Sequence, residues 1–283
     1  MTAQIIDGAA LARAKLIELK QRVAEIEAKG VTPGLATVLV GDDPASKVYI
    51  RNKARSCAAA GVTSFHFDLP ATASEQDVLD LIERLNNDPK VHGMIVQLPL
   101  PRHLNAQCVS QAIAYEKDVD GFSWHNLGAL VENAPGVAPC TPRATMATLA
   151  HARIRVEGKH AVVVGRSVIV GKPVALLLIN AGATVTVCNS RTPDLGAVTR
   201  QADILVVATG RANLIQRDMV KPGAVVIDVG INRLHDGKLV GDVAFDEVKA
   251  VAGWITPVPG GVGPMTVAML VENTVNAAAR TVA

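Results

Sequence analysis

Residue types able to do chemistry cluster in each half of the chain. In the first half, Tyr49 and Lys53 stand four apart, so on a helix both project from one face; an ordinary surface helix carries such pairs too. Gln97 closes the apolar run GMIVQLP, just before Leu98-Pro99-Leu100-Pro101. Polar groups at the carboxyl ends of parallel strands face the ligand crevice, although a Gln there can equally cap loop backbone. Asp118 and Asp120 lie in KDVDGF beside a glycine, a turn pattern. A metal site would need further ligands, and the seven His form no ligand-like cluster, so no metal is expected.

In the second half, GRSVIVGKPVA follows an apolar run and opens a helical pattern, the context in which a glycine-rich turn carries meaning. Gly165 and Gly171 enclose five residues, and Ser167 takes the middle-glycine place of G-x-G-x-x-G. A P-loop is excluded, because Pro173 follows Lys172 where Ser or Thr is required. The turn reads as dinucleotide-binding or as the tight βα turn of any doubly wound domain. The next apolar run, ATVTVC, ends in Asn189-Ser190-Arg191-Thr192 and not in an acid. A carboxylate there would repel a 2′-phosphate, whereas Ser and Arg can hydrogen-bond it. An ordinary polar loop is the alternative; together with the turn, the pair favours NADP over NAD. The segment PVPGGVGPMT, with Pro259, Gly260 and Gly261, makes a stiff loop able to approach a flat ligand closely. It could also be a simple connector.

These residues need elements to hold them. Short apolar runs alternate with helical patterns, the signature of βαβ units and a mostly parallel sheet. The spacing predicts helices over 8–29, 47–60, 74–87, 142–152 and 264–282, with Asp7 and Ser74 as caps. Strands are expected over 35–40, 62–68 and 93–99, then 161–165, 183–188, 203–208 and 224–230. The stretch 117–140 reads as loop, and Thr141-Pro142 as a helix start.

Composition narrows the class. A length of 283 residues gives a prior of about two domains. With four Phe, two Trp and two Tyr, the core must come from Ala, Val, Ile and Leu, which suits buried parallel strands. The net charge is 28 − 26 = +2, no footprint for a nucleic-acid partner. No signal peptide is expected at MTAQIIDGAA, and the uncharged window 250–271 contains too many Pro and Gly for a membrane span. Four Cys without short spacings point to a reduced, cytoplasmic setting.

The motifs run in one order: GDDPASKVYIRNK, VQLPLP, DVDGF, CTP, GRSxIVGxP, VIDVGINR, GDV and TPVPGGVGPMT. That series closely resembles the bifunctional methylenetetrahydrofolate dehydrogenase/cyclohydrolase family over nearly the entire chain. The resemblance implies an α/β protein of two α/β domains around a cleft, the second a Rossmann-like doubly wound parallel sheet. Residues 1–141 plus 265–283 would bind folate and 142–264 would bind NADP, commonly in a homodimer. NADP+ would take hydride from 5,10-methylenetetrahydrofolate, and the 5,10-methenyl cation would be hydrolysed to 10-formyltetrahydrofolate. Lys53 would be the catalytic lysine, Tyr49 would pack on the folate ring, Gln97 would support Lys53 and Asp120 would hold the pterin edge. Gly165, Arg166 and Ser167 would bind the cofactor, with Arg166 and Ser190 serving the 2′-phosphate, Arg191 adding basic character and Ile231 near the nicotinamide. Pro259, Gly260 and Gly261 would line the folate cleft.

Two other readings stand beside it. A two-domain NADP-dependent dehydrogenase of a small hydroxy acid, of the shikimate type, would need a polar, carboxylate-binding first domain; the VQLPLP wall suits a larger aromatic ligand better. A non-catalytic NADP-sensing module would tolerate loss of Lys53. A short-chain dehydrogenase is disfavoured, because its Tyr-x-x-x-Lys pair follows the nucleotide turn, and here it precedes it.

Overall fold

The computed structural model describes residues 2–282. In chain order the elements are β1 (Gln4–Ile5), α1 (Gly8–Glu27), β2 (Gly34–Val40), α2 (Pro44–Ala60), β3 (Thr63–Leu69) and α3 (Glu75–Asn86). Then come β4 (Gly93–Val96), α4 (Ala106–Ala112), α5 (Trp124–Val131) and α6 (Cys140–His151). The second half holds β5 (His160–Val164), α7 (Gly171–Asn180), β6 (Thr184–Cys188), α8 (Leu195–Thr199), β7 (Ile204–Val207) and β8 (Val225–Asp228). It ends with β9 (Asn232–Arg233), β10 (Leu239–Val240), α9 (Phe245–Lys249), β11 (Trp254–Ile255) and α10 (Val262–Arg280).

The chain divides into two compact units. One comprises Arg13–Cys140 and the chain from Val267 onward; the other comprises the chain up to Ala12 and Thr141–Thr266. In the first unit, β3-β2-β4 form a parallel sheet. Central β2, GLATVLV, is buried at every position, as a strand covered on both faces must be. Its Ala36, Val38 and Val40 pack with Met94 of β4 and with Val78, Ile82 and Leu85 of α3. A Ser74–Asp77 capping box starts α3, a feature contributing about 1 kcal/mol.

Helix α2 begins at Pro44 and not near Lys47. The Asp43 carboxylate accepts from the Ser46 amide at 2.7 Å and Pro44 occupies the first turn, a start signal that the GDDPAS turn pattern conceals. Helix α5 lies inside the stretch expected to be loop, capped where Ser123 Oγ accepts from Asn126 N. At eight residues it is too short for periodicity to reveal. Helix α6 starts at Cys140, one residue before the expected Thr141 cap.

The second unit is built on a parallel sheet of order β1-β11-β8-β7-β5-β6. Strands β7 and β8 are buried throughout, as are Ala161–Val164 of β5. Each such Val contributes roughly 1.5–3 kcal/mol by leaving water. Strand β1 pairs with β11, Gln4 opposite Trp254, so the first residues belong with this sheet, where the expected boundary had grouped them with residues up to 141. Two residues carry no period from which that pairing could be read. Beyond Val267, α10 belongs to the first unit, and its Asn273 Nδ2 donates to Val119 O at 2.8 Å.

Candidate active site

Three of the first-half candidates converge. Lys53, partly buried on α2, donates from Nζ to Gln97 Oε1 at 3.1 Å. Gln97 follows β4, its amide N–H reaching Val38 O at 2.8 Å to extend the ladder. Its Nε2 donates to Leu98 O at 2.7 Å, which turns the amide oxygen toward the lysine. Asp120 is the third member. Burial raises its carboxyl above the usual range, the nearby Lys53 ammonium opposes that rise, and Asp118 adds to it. Tyr49 lies one helical turn before Lys53 and is 45% exposed, leaving its ring available to a ligand. Cys57, one turn beyond Lys53, is no nucleophile, because burial pushes its thiol up to about 11.

The loop carrying Asp120 is held from several sides. Met94 N donates to Lys117 O at 2.8 Å, which lays the segment alongside β4. Asp118 is buried and accepts from Gly121 N, Ser123 N and Asn126 Nδ2 at 2.9, 2.7 and 3.0 Å. It is therefore a buttress, while Asp120 next door can face a ligand. Cys140 also touches Asp120 and donates to Val119 O at 3.2 Å. Sequence reasoning gave Cys140 no role; its place in CTP was the available signal. An apolar hollow formed by Met94, Val96, Leu98, Leu100 and Phe122 has Asp118 and Asp120 in its wall.

In the other unit, the glycine turn sits at the carboxyl end of β5. Gly165 has φ +124°, and a Cβ there would overlap Ala208 O after β7. A Cβ on Gly171 would strike the Gly165 carbonyl, so only glycine permits helix α7 to start so close to the strand. Ser167 Oγ accepts from Val170 N and Gly171 N at 3.2 and 3.3 Å, which leaves its own proton to donate. Arg166 and Ser167 are exposed. At the end of neighbouring β6, Asn189 Oδ1 accepts from Arg191 N and Asn189 N donates to Thr192 Oγ1, both at 3.0 Å. That small turn holds Ser190 and Arg191 exposed beside the β5 turn.

The Pro-Gly loop belongs to this same unit. Gly260 has φ +102°, and its carbonyl accepts from Ala9 N at 3.0 Å. A Cβ on Gly8 would overlap Gly261 O, so the loop lies against the start of α1. Ile231, 46% exposed, lies near the residues that follow the loop, its Cδ1 being 3.6 Å from where a Cβ on Gly263 would stand. Pro259 is exposed and Gly261 buried.

The family model described as tetrahydrofolate dehydrogenase/cyclohydrolase, catalytic domain, matches residues 6–120, and its NAD(P)-binding domain companion matches 139–282. The chain is 58% identical over 280 residues to the bifunctional protein FolD of Polaromonas naphthalenivorans, covering 99% of this chain and 100% of that one. Among solved structures, the FolD methylenetetrahydrofolate dehydrogenase/cyclohydrolase of Campylobacter jejuni superposes with TM-score 0.97 at 48% identity, over 99% of both chains. The Trypanosoma brucei dehydrogenase-cyclohydrolase, solved with NADP cofactor and inhibitor, gives 0.95 at 41%, over 100% of this chain and 99% of that one. A shikimate dehydrogenase from Aquifex aeolicus reaches 0.51 at 14% identity, covering 89% of this chain and 98% of its own, and shares the fold alone.

Proposed function

The chain belongs to the tetrahydrofolate dehydrogenase/cyclohydrolase family, and from that premise we propose that it oxidises 5,10-methylenetetrahydrofolate with NADP+ and hydrolyses the 5,10-methenyl product to 10-formyltetrahydrofolate. The observation that carries the hydrolytic half is the Lys53 Nζ–Gln97 Oε1 hydrogen bond beside Asp120. NADP+, when bound, supplies the hydride acceptor. The β5 turn fits it: glycines 165 and 171 leave no room for side chains at the helix start, and Asn189 to Thr192, directly after β6, include no carboxylate. Gly165, Arg166 and Ser167 would bind the cofactor, Arg166 with Ser190 and Arg191 serving the 2′-phosphate and Ile231 beside the nicotinamide.

The oxidation leaves positive charge on a carbon between two nitrogens, so no side chain need move a proton. The chain's task there would be to hold the folate still, with Tyr49 against its ring. Hydrolysis asks more. Water adds to the methenyl carbon and loses one proton; as the bond to one ring nitrogen then breaks, the hydroxyl becomes the formyl carbonyl and its proton passes to that nitrogen. Lys53 is the group placed to handle the water, and the neutral Gln97 orients the amine without adding a counter-charge.

Asp120 would accept from the donors on the pterin edge, a charge-assisted arrangement. Asp120→Ala is expected to raise the folate KM roughly 10- to 100-fold, from a bond worth about 1.5–3 kcal/mol. The NADP Kd should stay nearly constant in fluorescence titration; equal loss of both affinities would assign Asp120 a folding role. Absorbance of the purified chain with methylenetetrahydrofolate and NADP+ or NAD+, followed by decay of the methenyl band, tests the whole reading.

A homodimer is part of the proposal. Strand β3 pairs with β2 on one side and is the edge of its sheet, and a seven-residue edge is a template for a second copy. Sedimentation equilibrium should give twice the chain mass at micromolar concentration, and a monomer there would count against it. The expected compartment is the cytoplasm, where thiols stay reduced.

A further inference from the structure

We propose that Asp242 is a positioning residue for hydride transfer, holding the loops after β7 and β8 in register at the cofactor end of the six-stranded sheet. The proposal rests on the reading of that unit as the NADP-binding one. Asp242 is fully buried, yet four donors converge on its carboxylate. Thr209 N, Thr209 Oγ1 and Gly210 N reach Oδ2 at 2.5, 2.9 and 3.0 Å, and Asn232 Nδ2 reaches Oδ1 at 2.9 Å. Thr209 and Gly210 follow β7, and Asn232 follows Ile231 after β8. One carboxylate thus fastens both loops.

A second buried acid fixes Asp242 itself. Asp228, the last residue of β8, accepts from Asp242 N and Gly230 N at Oδ1, at 3.0 and 2.9 Å, and from Val243 N at Oδ2, at 2.9 Å. Its own amide donates to Thr256 Oγ1 at 2.8 Å, one residue before the Pro-Gly loop. Burial pushes the Asp228 carboxyl up to about 7 against those three N–H groups. There is no slack around the pair. A Cβ on Gly241 would overlap the Asp228 carboxylate, and one on Gly230 would overlap the Asp242 carboxylate. Packing links this network to the glycine turn, because Ala208, next to Thr209, lies against Gly165.

Two adjacent buried acids are a costly way to stabilise a core, since apolar residues of similar volume often do as well or better. Here they bind loops at the carboxyl ends of parallel strands, where a dinucleotide sits in such folds. A shift of about 1 Å at a reacting centre can cost a hundredfold in rate, which gives the arrangement its use. Neither VIDVG nor GDV advertises it in the sequence.

The test uses the intact enzyme and both of its reactions. Asp242→Asn replaces an acceptor by an amide that faces four donors. It is expected to lower kcat for NADP+-dependent oxidation roughly 10- to 100-fold, with a smaller change in the NADP KM and methenyl hydrolysis within about threefold of wild type. Thr209→Val, which removes one donor, should act in the same direction more weakly, and Thr209→Ser should recover the rate. Equal loss of both reactions in proportion to the folded fraction would overturn the proposal, as would an unchanged oxidation rate. If Asp242→Asn yields no folded protein, the Thr209 pair decides: no difference between Val and Ser refutes the inference. A wild-type chain that reduces no NADP+ would instead refute the functional reading beneath it.

Discussion

Lys53→Met is expected to remove methenyltetrahydrofolate hydrolysis, lowering its rate by roughly 10²- to 10⁴-fold, the usual worth of a positioned acid or base. Methionine keeps the length and apolar stem of lysine but offers no proton and accepts none. Gln97 would lose its partner at 3.1 Å, and its amide would remain anchored to Leu98. Hydride loss from the methylene carbon calls for no proton transfer, so oxidation should fall much less than hydrolysis. The methenyl absorbance band should therefore accumulate in the mutant where wild type lets it decay. A mutant that still clears the band at near wild-type rate would leave Lys53 without the role given to it.

The second large effect concerns the cofactor. Changing Ser190 to Ala and Arg191 to Asp together should move the NADP/NAD ratio of kcat/KM towards NAD by at least about a hundredfold. Hydrogen bonds to a charged group are worth about 1.5–3 kcal/mol each, and the new carboxylate would repel a 2′-phosphate. Both side chains are exposed at the end of β6 and their turn is set by Asn189 and Thr192, so the exchange should leave the unfolding midpoint nearly in place. Initial rates with each dinucleotide measure the ratio. An unchanged ratio would remove these residues from the phosphate site.

Much of the architecture is legible from periodicity. Runs such as AVVV and ILVV are buried strands because every position is apolar, and the glycine turn after the first announces the strand-to-helix corner. What escapes is whatever depends on distant segments meeting. Strand β1 has two residues and exists only through its pairing with β11. The Tyr49–Lys53 pair has the same spacing as many surface pairs; only the register placing β4 beside β2 delivers Gln97 to the lysine. Asp118 and Asp120 are indistinguishable in KDVDGF, yet one binds backbone amides and the other lies near Lys53. Asp228, inside an expected strand, and Asp242, in GDV, show no sign in the sequence of the buried network they form. Burial of polar side chains is the part that local pattern cannot supply, because its cause is tertiary.

A crystal structure with a folate analogue bound, in the presence of NADP+, tests the central claim most directly. The pterin ring should lie with one edge within about 3 Å of the Asp120 carboxylate and with Lys53 Nζ in hydrogen-bond reach of the analogue. An analogue bound at full occupancy away from position 53 would contradict it.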